Sequence, residues 1–240
     1  MIFKKRLKDI YYYSTKNLAF LALVAFLFFL LSILEGNDTI PFAKSIVSIL
    51  NMGYGLEITR DTIRGGKRLP KMRPKKIIFG GVKLFIITII YFIPQIIFFT
   101  IIKIISGFNK IFQLGDIFFH IPDFYDMFNI NPVRFVIYII LFLIISYISI
   151  FFYEIALASF AETDKFMSAF RLKRIWRKIR KVGIKNYVIR YTELIILMSL
   201  FTLLADCFFD FPVIYSVILL VPFLLQYRAM GLLYKKYILN

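Results

Sequence analysis

Asp116, His120, Asp123 and Asp126 are the residues best suited by type to bind a metal or move a proton, and all lie between Lys103 and Pro132. Asp116 and His120 stand four apart, so one helical face would present both to a divalent cation. Pro122 interrupts such a helix, and the spacing matches no specific metal motif. A solvated acidic face is the better reading. Cys207 is the only cysteine, which rules out an internal disulfide and gives a metal site little support. No paired nucleophile and base occurs elsewhere, so no catalytic residue, metal or cofactor is expected, and the chain is not expected to be an enzyme. Asn37-Asp38-Thr39 fits a glycosylation acceptor, but so close to an apolar block it reads as a chance match.

A second group of polar residues sits within or at the ends of apolar runs: Gln95, Gln226, Asn51, Glu154 and Glu193. Gln95 follows Pro94, and Gln226 lies one turn after Pro222. In a transporter or channel subunit, kink prolines with neighbouring amides would mark the solute path. The plainer expectation for Gln95 is an amide bonded to a neighbouring helix, and for Glu154 and Glu193 a pairing with basic helices. No ionisable residue is expected deep inside a run.

The third chemistry is cationic. From Lys165 to Arg190 the chain holds no acid. Ile175, Ile179 and Val182 recur at helical spacing, with Phe166, Phe170 and Leu172 upstream, while Arg174, Arg177, Lys178 and Lys181 take the other face. Trp176 would anchor this amphipathic segment at a membrane surface. Arg64, Lys67 and Arg68 form a second basic group after the second apolar block. Both groups suit anionic lipid headgroups or an acidic protein partner. A net charge of +17 also raises nucleic acid, but the cations lie between apolar blocks, where orientation signals and lipid account for them.

Apolar blocks must position all of this. Hydrophobic residues make up 60% of the 240, with 29 Phe, well above a soluble domain. The blocks match a hydrocarbon core about 30 Å thick, in which helices satisfy their own backbone. The expected fold is an all-α integral membrane bundle, one domain over 1–240, with spans at about 18–34, 42–58, 84–102, 133–156, 191–205 and 212–227. The first block is expected to be an uncleaved span, because no small-residue cleavage site follows it. Pro94 and Pro222 should kink their helices. Gly53 and Gly55 would let a neighbouring helix approach closely. The 103–132 stretch, rich in aromatics, would lie at the outer interface. Six crossings leave only Lys44, Lys103, Lys110 and Arg134 on the far side, so both termini of this multi-pass protein should face the cytoplasm from the cell membrane. Treating the second and fifth blocks as surface helices would instead push a major basic group across the membrane.

The hinge after the second block carries a resemblance. Gly53-Tyr54, Arg60, Thr62-Ile63-Arg64-Gly65, Leu69-Pro70, Gly81 and Lys83-Leu84-Phe85, with Ala161, Ala169-Phe170 and Gly231-Leu232-Leu233-Tyr234 later, resemble the archaeal domain-of-unknown-function family 4013. Its members are multi-pass proteins found largely in methanogens. The resemblance implies membership and topology and transfers no catalytic residue. Glu57, where relatives tend to carry Arg, and Lys71-Met72-Arg73, where they are usually acidic, depart from that pattern.

Overall fold

The computed structural model describes residues 2–35, 41–106 and 132–239. The cluster of Asp116, His120, Asp123 and Asp126, most of the expected outer interfacial segment and Asn37-Asp38-Thr39 fall outside them. The described residues are helical, without strands, and cluster into two compact units: 1–87 with 154–240, and 88–153.

The first unit is built on a C-terminal helix. Its elements are α1 (Ile2–Thr15), α2 (Leu18–Glu35), α3 (Pro41–Ile63), the start of α4 (Pro74–Ser106), the end of α5 (Pro132–Thr163), a short 3-10 turn (Phe166–Phe170), α6 (Leu172–Val182), α7 (Ile184–Asp206), α8 (Pro212–Tyr234) and a π-turn (Lys235–Leu239). α8 packs on α1, α2, α3 and α7. Half of its span is buried, against 17–28% for the other three candidate spans. The close approach to α3 depends on missing side chains: Gly231 lies over Thr62, and Gly55 faces the Tyr227 ring. Thr59 then donates its hydroxyl to the Tyr227 carbonyl at 3.1 Å. Gly53 and Gly81 likewise let α3 and the start of α4 meet backbone to backbone. Small residues at such crossings are how membrane helices gain packing without a hydrophobic driving force.

The hinge is ordered by local chemistry. Gly65 adopts φ +93, its N–H reaches the Thr62 carbonyl at 3.0 Å, and the Gly66 N–H reaches that of Asp61 at 2.8 Å. This Schellman closure ends α3 where Gly65-Gly66 predicts it. The following turn is pinned by Tyr54, which donates to the Pro70 carbonyl, and by Asn17, which donates to that of Leu69. Gly183, at φ +85, separates α6 from α7. The basic stretch is therefore not one helix: Phe166–Phe170 forms its own turn, α6 covers only Leu172–Val182, and Lys185 and Arg190 belong to α7. α7 begins seven residues earlier than the fifth block because Lys185, Asn186 and Arg190 hid its first two turns.

The second unit comprises the second half of α4 and the first half of α5, run antiparallel. Tyr91 and Phe92 meet Tyr153 edge-on near one end, and Phe99 meets Phe142 at 4.8 Å further along. Thr88 and Tyr153 share a 3.0 Å hydrogen bond.

Four helices are long and apolar enough to cross a membrane: Pro74–Ile102, Val136–Thr163, Ile184–Asp206 and Pro212–Leu239. Leu18–Leu34 qualifies together with Leu7–Thr15, to which it is bent by 107°. α4 and α8 both continue through their prolines, Pro94 and Pro222. α3 does not reach the same apolarity, and its polar residues explain why: Ser48, Asn51, Thr59, Arg60 and Thr62 are buried in the bundle. Outward faces of the candidate spans are apolar, as in the exposed series Ile86, Ile90, Ile93, Ile97 and Ile101 of α4. A monomer in water rarely shows so continuous an apolar face.

Candidate functional site

Three cations that composition assigns to the basic surface instead hold the first unit together. Arg228, on α8 and buried, donates to Asp9 from Nε at 3.1 Å and from the second terminal nitrogen at 3.4 Å. Its remaining terminal nitrogen donates to the Gly66 carbonyl at 2.8 Å and the Thr62 hydroxyl at 3.2 Å. The guanidinium lies 4.0 Å from the centre of the Tyr13 ring, whose hydroxyl donates to Asp61 at 3.2 Å. A guanidinium suits this position because its fixed fork serves several acceptors at once while its face stacks on an aromatic ring. Desolvation lifts the Asp61 carboxyl above the ordinary carboxylate value, opposed by the Tyr13 hydrogen bond and the nearby Arg228.

Lys178 joins α6 to α5 and α8. Its ammonium donates to Ser159 at 2.9 Å, to Glu162 at 3.0 Å and to the Tyr234 hydroxyl, above whose ring it lies. Burial pushes the Lys178 ammonium below its ordinary value, with Glu162 opposing the shift. Arg60, buried on α3, pairs with Glu57 and with Asp164 and faces the Phe160 ring. Asp9, Asp61 and Tyr13 carried no sequence signal beyond their types, since their partners lie far along the chain.

The other expected basic residues are placed differently. Arg64, Lys67, Arg68, Arg174, Arg177 and Lys181 are exposed. None has an ion pair among the described residues. Among the described residues, Lys178 alone of that group is engaged internally. Behind the cations of α6, Ile175, Ile179 and Val182 are buried. Trp176 on the same helix stacks with Arg180, 5.5 Å from the ring centre.

The polar residues within the apolar runs divide between the units. Gln226 donates to Glu154 at 2.8 Å, so Glu154 pairs with an amide rather than with a basic helix. It also lies deeper than its expected place at a span's end. α5 continues to Thr163, which leaves Glu154 buried nine residues, roughly 14 Å of helix, from that end. One Glu154 oxygen and both polar atoms of Asn51 have no hydrogen-bond partner among the described residues. Gln95, in the second unit, is buried with its amide likewise unpartnered. Among the described residues no group of His, Cys, Asp and Glu could hold a metal ion.

Two clefts, each of about 380 Å³, share Asp9, Arg228 and Leu232 in their walls. One is lined by Lys16, Lys67 and Lys235 beside Tyr12 and Gly65-Gly66. The other is mainly apolar, with Arg190, Lys236 and Tyr237 around Ile10, Leu194, Met230 and Leu233.

Several residues behind the family resemblance take part in these contacts. Tyr54 with Pro70, Arg60 with Asp164, Thr62 with Arg228 and Gly231, and the Gly65 turn make one connected set that fixes the hinge to α8. No curated protein and no solved structure matches the chain. The family model described as protein of unknown function (DUF4013) matches residues 39–209. With well over half of its length inside that match, the chain belongs to the DUF4013 family.

Proposed function

We propose that the protein is a non-enzymatic, multi-pass membrane protein whose cytoplasmic basic face gathers anionic lipid. The observation that carries this reading is the division of its cations. Glu57, Asp164, Glu162 and Asp9 are committed to Arg60, Lys178 and Arg228, while Arg64, Lys67, Arg68, Arg174, Arg177 and Lys181 stay exposed and unpaired among the described residues. Each such cation contributes about 1 kcal/mol near anionic lipid. Anchoring needs no such help once apolar helices span the bilayer, so enrichment of acidic lipid is the effect left for them. α6 would lie in the headgroup layer, and α3 would complete six crossings, its polar side chains shielded by α2 and α8. Lysine and arginine distribution then puts both termini in the cytoplasm.

Trp176 is the only tryptophan and lies on α6, which makes it an internal reporter. In nanodiscs, energy transfer from Trp176 to dansyl-labelled phosphatidylglycerol should exceed transfer to dansyl-labelled phosphatidylcholine at equal mole fraction. High salt and the triple variant Arg174→Glu, Arg177→Glu, Lys181→Glu should abolish the excess. Equal transfer to both lipids would overturn the reading.

A second reading, a transporter or channel subunit, draws support from the buried Glu154 carboxyl and its Gln226 partner, since an ionisable group inside a span is costly and usually functional. Solute flux in proteoliposomes that disappears in Gln226→Leu or Gln95→Leu would favour this reading over the first.

A further inference from the structure

Arg190 and Lys236 stand 46 positions apart, and the antiparallel course of α7 and α8 brings them to one rim. α7 starts at Ile184 and α8 ends at the π-turn Lys235–Leu239, joined only by 207–211 at the opposite end. Both cations lie against Tyr237, Arg190 at 5.8 Å and Lys236 at 5.1 Å from the ring centre. Neither has an ion pair among the described residues. Asp9, the one acid lining this cleft among the described residues, is already engaged by Arg228.

The order of residues along the two spans gives the cleft a direction. Leu194 lies one helical turn deeper than Arg190, and Leu233 and Met230 lie progressively deeper than Lys236. The unpaired positive charge of Arg190 and Lys236 is therefore at the level of the helix ends, the apolar wall of Leu194, Leu233 and Met230 begins about one turn below it, and the mutually paired Asp9 and Arg228 line the cleft beyond. A volume of about 380 Å³ is at the lower end of small-molecule sites, which run roughly 300–1,000 Å³. It accommodates a headgroup and the first part of one chain. A soluble acidic peptide would meet only the rim.

We propose that this cleft holds one anionic phospholipid, its phosphate between Arg190 and Lys236 and the upper part of one acyl chain along Leu194, Met230 and Leu233. The proposal rests on the lipid reading above for its place at a membrane surface, and it adds a discrete site to a diffuse charged face. The chemistry shared with free phosphate ends at the rim, so an amphiphile and an inorganic anion are separable.

The test uses the full chain in detergent. Native mass spectrometry should find one retained anionic phospholipid. After delipidation, dihexanoyl phosphatidylglycerol should raise the unfolding temperature saturably, binding at least about tenfold more tightly than dihexanoyl phosphatidylcholine, a difference of about 1.4 kcal/mol. Inorganic phosphate at equal concentration should give no shift. Arg190→Gln with Lys236→Gln should remove the preference for the anionic lipid, and Ala229→Phe, which fills the cleft from α8, should remove binding of both lipids. Should Ala229→Phe fail to fold, the rim double variant carries the test alone. The triple variant of α6 should keep the retained lipid while losing the Trp176 transfer signal, so the site and the charged face fail independently. Protection by phosphate alone, equal protection by the zwitterionic lipid, or a rim variant that behaves as wild type overturns the proposal.

Discussion

At the scale of single residues, partners decide what a cation does. Arg228 and Lys178 are of the same types as the exposed cations around them, yet both are enclosed by acceptors from distant parts of the chain, Asp9 and Thr62 for one, Glu162 and Ser159 for the other. Arg228→Gln should destabilise the folded protein by about 3 kcal/mol, the lower end of the cost of breaking a buried pair, because Asp9 is 41% exposed and can rehydrate. Thermal or denaturant unfolding in detergent, with Asp9→Asn completing a double-mutant cycle, measures it. Asp61 makes a prediction in pH. Its carboxyl titrates above the ordinary value when folded, so the folded state holds the proton longer and stability falls as pH rises through that interval. Asp61→Asn should keep an acceptor for the Tyr13 hydroxyl, remove that dependence and melt no lower than wild type at neutral pH.

At the scale of elements, glycines set how close helices come. A methyl group on Gly81 would press on the Ile49 backbone, with the carbonyl carbon at 3.0 Å, and backbone cannot yield as a side chain tip does. Gly81→Ala should therefore cost at least the usual 1–3 kcal/mol or so of overpacking, read as a lower unfolding temperature. Gly183→Ala separates conformation from space. Its nearest neighbour, the Asn186 side-chain nitrogen, would be 3.5 Å away, so the expected loss of about 1–3 kcal/mol comes from the backbone conformation, φ +85 with ψ 119, alone. Glycines also explain which boundaries were legible. Gly65-Gly66 marks the end of α3 in the sequence, but nothing in the periodicity of 165–190 reveals that Gly183 ends α6 and that Lys185 and Arg190 belong to the next span. Amphipathic spacing continues across a break when both sides expose the same charge. The segment carrying Asp116 and His120 lies outside the described residues, so its acidic face stays a sequence expectation.

At the scale of the whole molecule, the distribution of charge makes a topological prediction. Cys207 is exposed on the turn after α7, opposite to the basic end of that helix. In intact cells it should react with an impermeant maleimide. Single cysteines at Lys71 and Lys181, in a Cys207→Ser background, should react only after permeabilisation. Reaction of either from outside would overturn the cytoplasmic placement of the basic face. The same molecule-wide view explains why α3 is weaker than its neighbours: buried among α2 and α8, it is freed from the apolarity that lipid imposes on an outward face.

By itself the sequence determined a helical chain with segments long and apolar enough to cross a membrane, the end of the helix at Gly65 and the family to which it belongs. These follow from composition, local backbone preference and short-range spacing, which need no distant partner. Tertiary structure decided that Arg60, Lys178 and Arg228 are interior, that Glu154 meets Gln226, and that Arg190 comes to stand beside Lys236. Each of these depends on which of many similar side chains a folded helix carries into reach, and residue type alone does not contain that choice.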